Sequence, residues 1–215
     1  MNANFSSRTG ISRRIWFSIL AAVCLFGPQV QANFIATIQD SGTNLVVTGS
    51  GSIDLTGLSV ASSGGARPVI EPSTGRLGIG SLNLDPVFFY AGFIGPASFG
   101  SGGLRFPADS GSGDKVGIDN EIGFLFVPFG YTSGAFLSST STFNNTSLSS
   151  LGIIPGIYTW TWGTGTNADS FNIYAGVPVP NGSVPEAGSS LMLMLIPAGL
   201  MFVATFRSRR LISLQ

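Results

Sequence analysis

The sequence predicts an all-β fold: a single sandwich or jelly-roll-like domain placed between an N-terminal signal peptide and a C-terminal transmembrane helix. Three observations predict it. From residue 33 to residue 180, short runs rich in Val, Ile, Phe, Tyr and Thr alternate with clusters of Gly, Ser, Asn, Pro and Thr, at intervals of about 8 to 15 residues. The same stretch lacks sustained helical periodicity. Each end of the chain carries an uncharged apolar run beside a cluster of arginines.

The first element is residues 1–32. Arg8, Arg13 and Arg14 form a positive leader, Ile15 to Phe26 is apolar, and Val30-Gln31-Ala32 offers small residues where a signal peptidase reads. Cleavage is expected after Ala32, so that the mature chain begins at Asn33. Ser12-Arg13-Arg14-Ile15-Trp16-Phe17 also loosely fits the twin-arginine export pattern, and the export route stays open. Cys24 reads as apolar filler, because Ala21-Ala22-Val23 lacks the leucine and small residue that precede a lipid-modified cysteine.

The domain proper is expected over 33–176. Strands are predicted at 34–39, 45–49, 52–58, 76–82, 87–93, 103–106, 115–119, 122–127, 139–143, 157–162 and 170–175. Asp40-Ser41-Gly42 supplies a turn between the first two, where Asp can bond its own backbone and Gly accepts positive φ. Asp109 to Gly113 reads as a loop, and Gly163 to Asp169 closes a hairpin. Thr146 is placed to cap a single helical turn through Leu151, ended by Gly152. Residues 177–183, with prolines and Asn181-Gly182, read as an extended spacer.

The last element is residues 184–210. Val184-Pro185-Glu186-Ala187 leads into a run from Ala187 to Phe206 without a charge. About 20 helical residues at ~1.5 Å each cover the roughly 30 Å of bilayer hydrocarbon, and a mid-run Pro197 is tolerable in such a helix. Arg207, Arg209 and Arg210 are the stop, with 211–215 as a short cytoplasmic tail. Both arginine clusters stay cytoplasmic, so the domain between them lies beyond the inner membrane.

Composition narrows the chemistry. Only 9% of residues are charged, against roughly 25% for a typical soluble domain. Between Asn33 and Val184 four basic residues (Arg67, Arg76, Arg105, Lys115) face nine acids, a net charge of −5, which argues against nucleic acid. There is no histidine, and the single cysteine is Cys24. A mature chain without either has no disulfide framework, no imidazole ligand and no histidine-based triad, and no cofactor is expected.

Three constellations carry candidate chemistry. Tyr158, Trp160 and Trp162 alternate along one strand and share a face, which is either core or a platform for stacking sugar rings. The Leu-x-x-x-Pro-Gly-x-Tyr sequence before them is similar to the tyrosine corner of β-sandwiches, where the ring packs inside and its hydroxyl bonds the backbone. Asp119 and Glu121 are two apart, a pairing that glycoside hydrolysis uses at suitable separations, although solvated turn and edge charges are the commoner explanation. Asp109 and Asp114, with Asp119 nearby, offer hard oxygen ligands to calcium, but Gly111 and Gly113 stand where an EF-hand needs oxygen side chains.

The tail resembles the PEP-CTERM sorting signal, in a variant where Ala187 replaces the second proline. The body resembles the cargo of that family in Gly49 to Leu58, in Val127-Pro128 and Gly130-Tyr131-Thr132-Ser133-Gly134, in Pro155 to Gly163 and in Asn167 to Phe171. The resemblance implies export and recognition by an exosortase, a membrane-embedded cysteine peptidase acting in trans. It implies cleavage near Pro185-Glu186 and delivery to the surface or exopolysaccharide matrix of a Gram-negative bacterium. It supplies no catalytic residue, and the leading expectation is a non-enzymatic envelope protein. A carbohydrate-binding module using Trp160 and Trp162, or a glycoside hydrolase, are the alternatives.

Overall fold

The computed structural model describes residues 33–180. The strands in chain order are β1 (Phe34–Ser41), β2 (Asn44–Ser52), β3 (Ser59–Gly65), β4 (Val69–Glu71), β5 (Arg76–Ile79), β6 (Pro86–Ala91) and β7 (Phe106–Pro107). They continue with β8 (Ser110–Gly113), β9 (Val116–Asp119), β10 (Phe124–Pro128), β11 (Phe136–Phe143), β12 (Gly156–Trp162) and β13 (Asp169–Ala175). The remaining regular structure among the described residues is two 3₁₀ turns, Pro72–Thr74 and Gly165–Asn167. The all-β expectation is met.

Two sheets share the strands. One has six, in the order β12-β13-β1-β2-β11-β8; the other has seven, in the order β3-β6-β10-β9-β5-β4-β7. Pairing is antiparallel except between β1 and β13, which run parallel with Phe34 opposite Phe171. Those two rings stack at 5.1 Å, so the first and last strands are fastened through the core as well as through the ladder.

Alternation along the strands builds that core. Phe34, Ala36 and Ile38 of β1, Leu45 and Val47 of β2, and Phe171, Ile173 and Ala175 of β13 belong to one buried cluster with Leu77 and Ile79 of β5, Val116 and Ile118 of β9, and Leu125 and Val127 of β10. The inward serines of β11 are satisfied rather than orphaned. Ser141 Oγ accepts the Gly80 N–H at 3.0 Å, tying the two sheets together, and Ser139 Oγ donates to the Asp114 carbonyl at 2.6 Å.

Four expectations need correction. Residues 53–58 are not a strand: the Asp54 carboxylate accepts the Thr56 N–H in an Asx turn, Gly57 takes a φ of 90°, and pairing resumes only at Ser59. Residues 110–113 are not a loop but the edge strand β8, because small Ser and Gly residues ladder onto Ser139–Thr142 of β11. Asp40 bonds the Leu148 N–H, 108 residues away, rather than its own turn. The turn before β12 is capped by Ser147, not Thr146: Ser147 Oγ accepts the Ser150 N–H while Ser150 Oγ accepts the Ser147 N–H. The stretch then ends as expected, with Gly152 at φ 62° and paired bonds from Gly152 to Ser149 and from Ile153 to Leu148.

Among the described residues no helix is long and apolar enough to cross a membrane. The segments expected to be the signal peptide, the rest of the spacer, the sorting motif Val184–Ala187, the transmembrane run and the arginine stop lie outside the described residues.

Candidate functional site

Tyr158, Trp160 and Trp162 do share a face of β12, and it is the inner one. Trp160 and Trp162 are 0% and 4% exposed. Trp160 meets Phe171 edge-on at 6.4 Å, and the Trp162 indole N–H donates to the Asp54 carbonyl at 2.7 Å. Buried rings cannot stack on a sugar, so the platform expected at these tryptophans is withdrawn. Tyr158 is half-buried against Phe99, and its hydroxyl donates to the Ile154 carbonyl at 2.8 Å, the tyrosine-corner bond.

Asp109, Asp114 and Asp119 do not gather. Asp109 accepts the Asn144 N–H and Asp114 the Ser138 N–H, at opposite ends of β8, while Asp119 lies on β9 in the other sheet. Among the described residues no group of three or more acidic, Cys or His side chains is placed to hold a metal ion. Asp119 and Glu121 do converge, but on Arg76. The Arg76 guanidinium pairs with Asp119, with Glu121 at 3.3 Å and with Glu71 at 3.5 Å, and Arg105 pairs with Glu71 at 3.0 Å and Glu121 at 3.3 Å. Two arginines thus neutralise most of three carboxylates, an arrangement of ion pairs and not of a free acid facing a free base across a sugar.

Around that network the outer face of the seven-stranded sheet is hollowed into a groove of about 450 Å³. The strand alternation that sends Leu77, Ile118 and Leu125 inward sends Arg76, Asp119 and Phe126 outward. Each strand of that sheet contributes to the lining: Gly65, Val69, Arg76, Phe89, Pro107, Asp119 and Phe126, with Ala66, Arg67, Pro68, Arg105 and Ile122 from the connections. Phe89 and Phe126 are cross-strand partners with centroids 5.9 Å apart. Phe126 can lie flat because Gly117 and Gly78 pass beneath it; a Cβ there would stand 2.6 or 3.0 Å from its Cζ.

The groove wall 65–68 is anchored from below. Lys115 is buried, and its ammonium donates to the Ala66 carbonyl at 3.1 Å; burial lowers its pKa from the ordinary value. Arg67, in contrast, is exposed and forms no ion pair with any described residue. Two further atoms of the wall, Arg76 Nε and Asp119 Oδ1, are buried without a hydrogen-bond partner. Sequence reasoning did not find this groove. Its charged members at 67, 76, 105 and 119 have no common spacing, and only the order β9-β5-β4-β7 brings them together.

A second convergence joins the short motifs of the body. Segment 53–55 is held by Tyr131, whose hydroxyl accepts the Ile53 N–H at 2.9 Å and donates to the Ala135 carbonyl at 2.6 Å. Ser133 Oγ donates to Asp54 Oδ1 and accepts the Leu55 N–H, both at 2.9 Å. Asp169 accepts the N–H groups of Asp54 and Ser170, each at 2.6 Å. Residues from 49–58, 130–134, 155–163 and 167–171 therefore meet in one hydrogen-bonded clamp. Burial raises the Asp169 pKa to about 7, against the opposing effect of those two N–H donors. Burial likewise raises Tyr131.

The chain matches no protein-family model, no curated protein and no solved structure. What the structure defines among the described residues is an all-β, sandwich-like domain of two sheets carrying an amphipathic groove on an outer face.

Proposed function

We propose that the chain is an exported, non-enzymatic protein of the bacterial envelope or extracellular matrix, released to its destination by a sorting peptidase. The observation that carries this reading is the tripartite end of the sequence: Val184-Pro185-Glu186-Ala187, an uncharged run of membrane-spanning length, and Arg207, Arg209 and Arg210. In this reading Pro185 and Glu186 are recognised by an exosortase, Ala187 to Phe206 holds the substrate in the inner membrane, and the arginines stop transfer. A signal peptidase removes residues 1–32 first. The folded domain supports the reading by its economy of reactive groups: its acids at 71, 119 and 121 are engaged by arginines and its acid at 169 by backbone N–H groups.

The test is a Pro185→Ala, Glu186→Ala double variant expressed in the native host. The wild-type chain is expected to mature to a smaller surface or extracellular form, and the double variant to accumulate at the larger size in the membrane fraction. Identical size and location of the two would overturn the sorting reading.

A further inference from the structure

We propose that the outer groove of the seven-stranded sheet binds a carboxylated sugar ring, of the uronic-acid class. The inference concerns the folded domain alone and stands whether or not the tail is processed.

Four properties of the groove lead to that ligand. Its volume of about 450 Å³ lies within the roughly 300 to 1,000 Å³ of small-molecule sites. Much of its lining is apolar, with the partly exposed Phe89 and the exposed Pro107 and Ile122 offering the kind of surface against which the C–H face of a pyranose packs. A bare inorganic anion would leave that surface wet and unused.

The polar atoms without partners select a hydroxylated ligand. Asp119 Oδ1 lacks a donor and Arg76 Nε lacks an acceptor, and the two side chains are ion-paired neighbours in the same wall. A hydroxyl donates and accepts at once, so one sugar hydroxyl answers both needs. An ionised phosphate or sulfate group at this pair has acceptors only and would face the Asp119 carboxylate with like charge.

The charge comes from Arg67. Arg76 and Arg105 are engaged by Glu71, Asp119 and Glu121, whereas Arg67 is exposed at the groove and unpaired among the described residues. Its planar fork suits a carboxylate in a two-point contact. It is a local positive site on a domain of net negative charge, so it favours an acidic ligand here in particular. Arg67 thus holds the carboxylate, Phe89 the ring face, and the Arg76–Asp119 pair a hydroxyl.

The experiment is titration calorimetry on the full chain purified in mild detergent. Trigalacturonate is the probe, maltotriose the neutral control and acetate the bare carboxylate. The expected result is saturable heat with trigalacturonate and none with the other two at equal concentration. Arg67→Ala is expected to weaken binding at least tenfold with an unchanged melting temperature, because the Arg67 side chain is exposed and forms no ion pair with any described residue, and Arg67→Lys to fall between. Phe89→Leu is expected to weaken binding with its melting curve recorded as the check on folding. Absence of trigalacturonate binding, equal binding of maltotriose, displacement by acetate, or wild-type affinity in Arg67→Ala would each overturn the proposal.

Discussion

The backbone N–H of Asp54 donates to the Asp169 carboxylate at 2.6 Å, joining positions 115 apart in the chain. Asp54 in turn gives its carbonyl to the Trp162 indole and its own carboxylate to Ser133 and Thr56. One residue therefore links the turn after β2, the connection between β10 and β11, and the β12–β13 hairpin. The clamp replaces ladder pairing at a place where β2 has ended and β3 has not begun.

The clamp makes stability depend on pH through Asp169. Its pKa is about 7 in the folded state, raised by burial, and near 4 in an unfolded chain. Between those values the folded protein keeps a proton that the unfolded chain releases, so this group stabilises fully below about pH 4 and progressively less as pH rises to about 7. Three units at ~1.4 kcal/mol each set an upper limit of about 4 kcal/mol. Urea unfolding is expected to give a larger free energy at pH 5 than at pH 8, with the difference shrinking in Asp169→Asn. That variant is also expected to be less stable throughout, because its amide would turn an NH₂ toward one of the two N–H donors. An unchanged pH slope in Asp169→Asn would remove Asp169 from this role.

Arg76 and Arg105 belong to one network but differ in burial, and burial decides their worth. Arg76 is about nine-tenths buried and serves Glu71 and Asp119, which are buried with it. Arg76→Met strands the buried Asp119 without a counter-charge and leaves Glu71 to the exposed Arg105 alone, at a cost of about 3 to 5 kcal/mol. Arg105 is 55% exposed, so water and salt replace much of what its pairs provide, and Arg105→Ala should cost no more than about 1 kcal/mol. Chemical denaturation of the two variants side by side checks the contrast; equal losses would mean the network is not divided by burial in this way.

Local chemistry explains which parts of this architecture were legible in the sequence. β1, β2, β12 and β13 announce themselves because alternating apolar residues are bounded by Asp-Ser-Gly and by Gly163 to Asp169, and period and turn agree. β8 was hidden because Ser110-Gly-Ser-Gly113 has no apolar residue to alternate; its pairing is dictated by β11 alongside it. β4 is only three residues, too short to show a period. Segment 53–58 has the apolar alternation of a strand, and its fate is set by partners at 131, 133, 162 and 169 that no local pattern names. The aromatic face of β12 was readable as a face, but which side of the sheet it meets depends on the whole sandwich. The groove escaped for the same reason, since its charges come from four separate strands and connections.

The tryptophans at 160 and 162 differ in what each would lose. Trp162→Phe leaves the Asp54 carbonyl without its 2.7 Å donor, a loss of about 1 to 3 kcal/mol beyond the change in volume. The Trp160 indole N–H has no partner, so Trp160→Phe loses packing against Phe171 alone. Both rings are expected to resist iodide quenching and to ignore added oligosaccharide, because neither is exposed. Strong quenching of the folded protein by iodide would contradict their placement in the core.

The turn before β12 offers the cleanest separation of neighbouring residues. Ser147 and Ser150 exchange side-chain and backbone bonds at 2.8 and 3.1 Å, so Ser147→Ala removes an N-cap worth about 1 kcal/mol. The Thr146 hydroxyl donates to the nearby Asn144 carbonyl, and its backbone N–H donates to the Thr43 carbonyl whatever the side chain, so Thr146→Ala should stay within about 0.5 kcal/mol. At the other end Gly152 has a φ of 62°, and an added Cβ would lie 2.8 Å from the Gly102 nitrogen. Gly152→Ala therefore combines left-handed backbone strain of about 1 kcal/mol with a clash against the backbone of the neighbouring loop, and is expected to cost more than Ser147→Ala. Melting temperatures ranked in the order Thr146→Ala, Ser147→Ala, Gly152→Ala, highest to lowest, would bear out the capping geometry. A Thr146→Ala loss equal to that of Ser147→Ala would return the cap to Thr146.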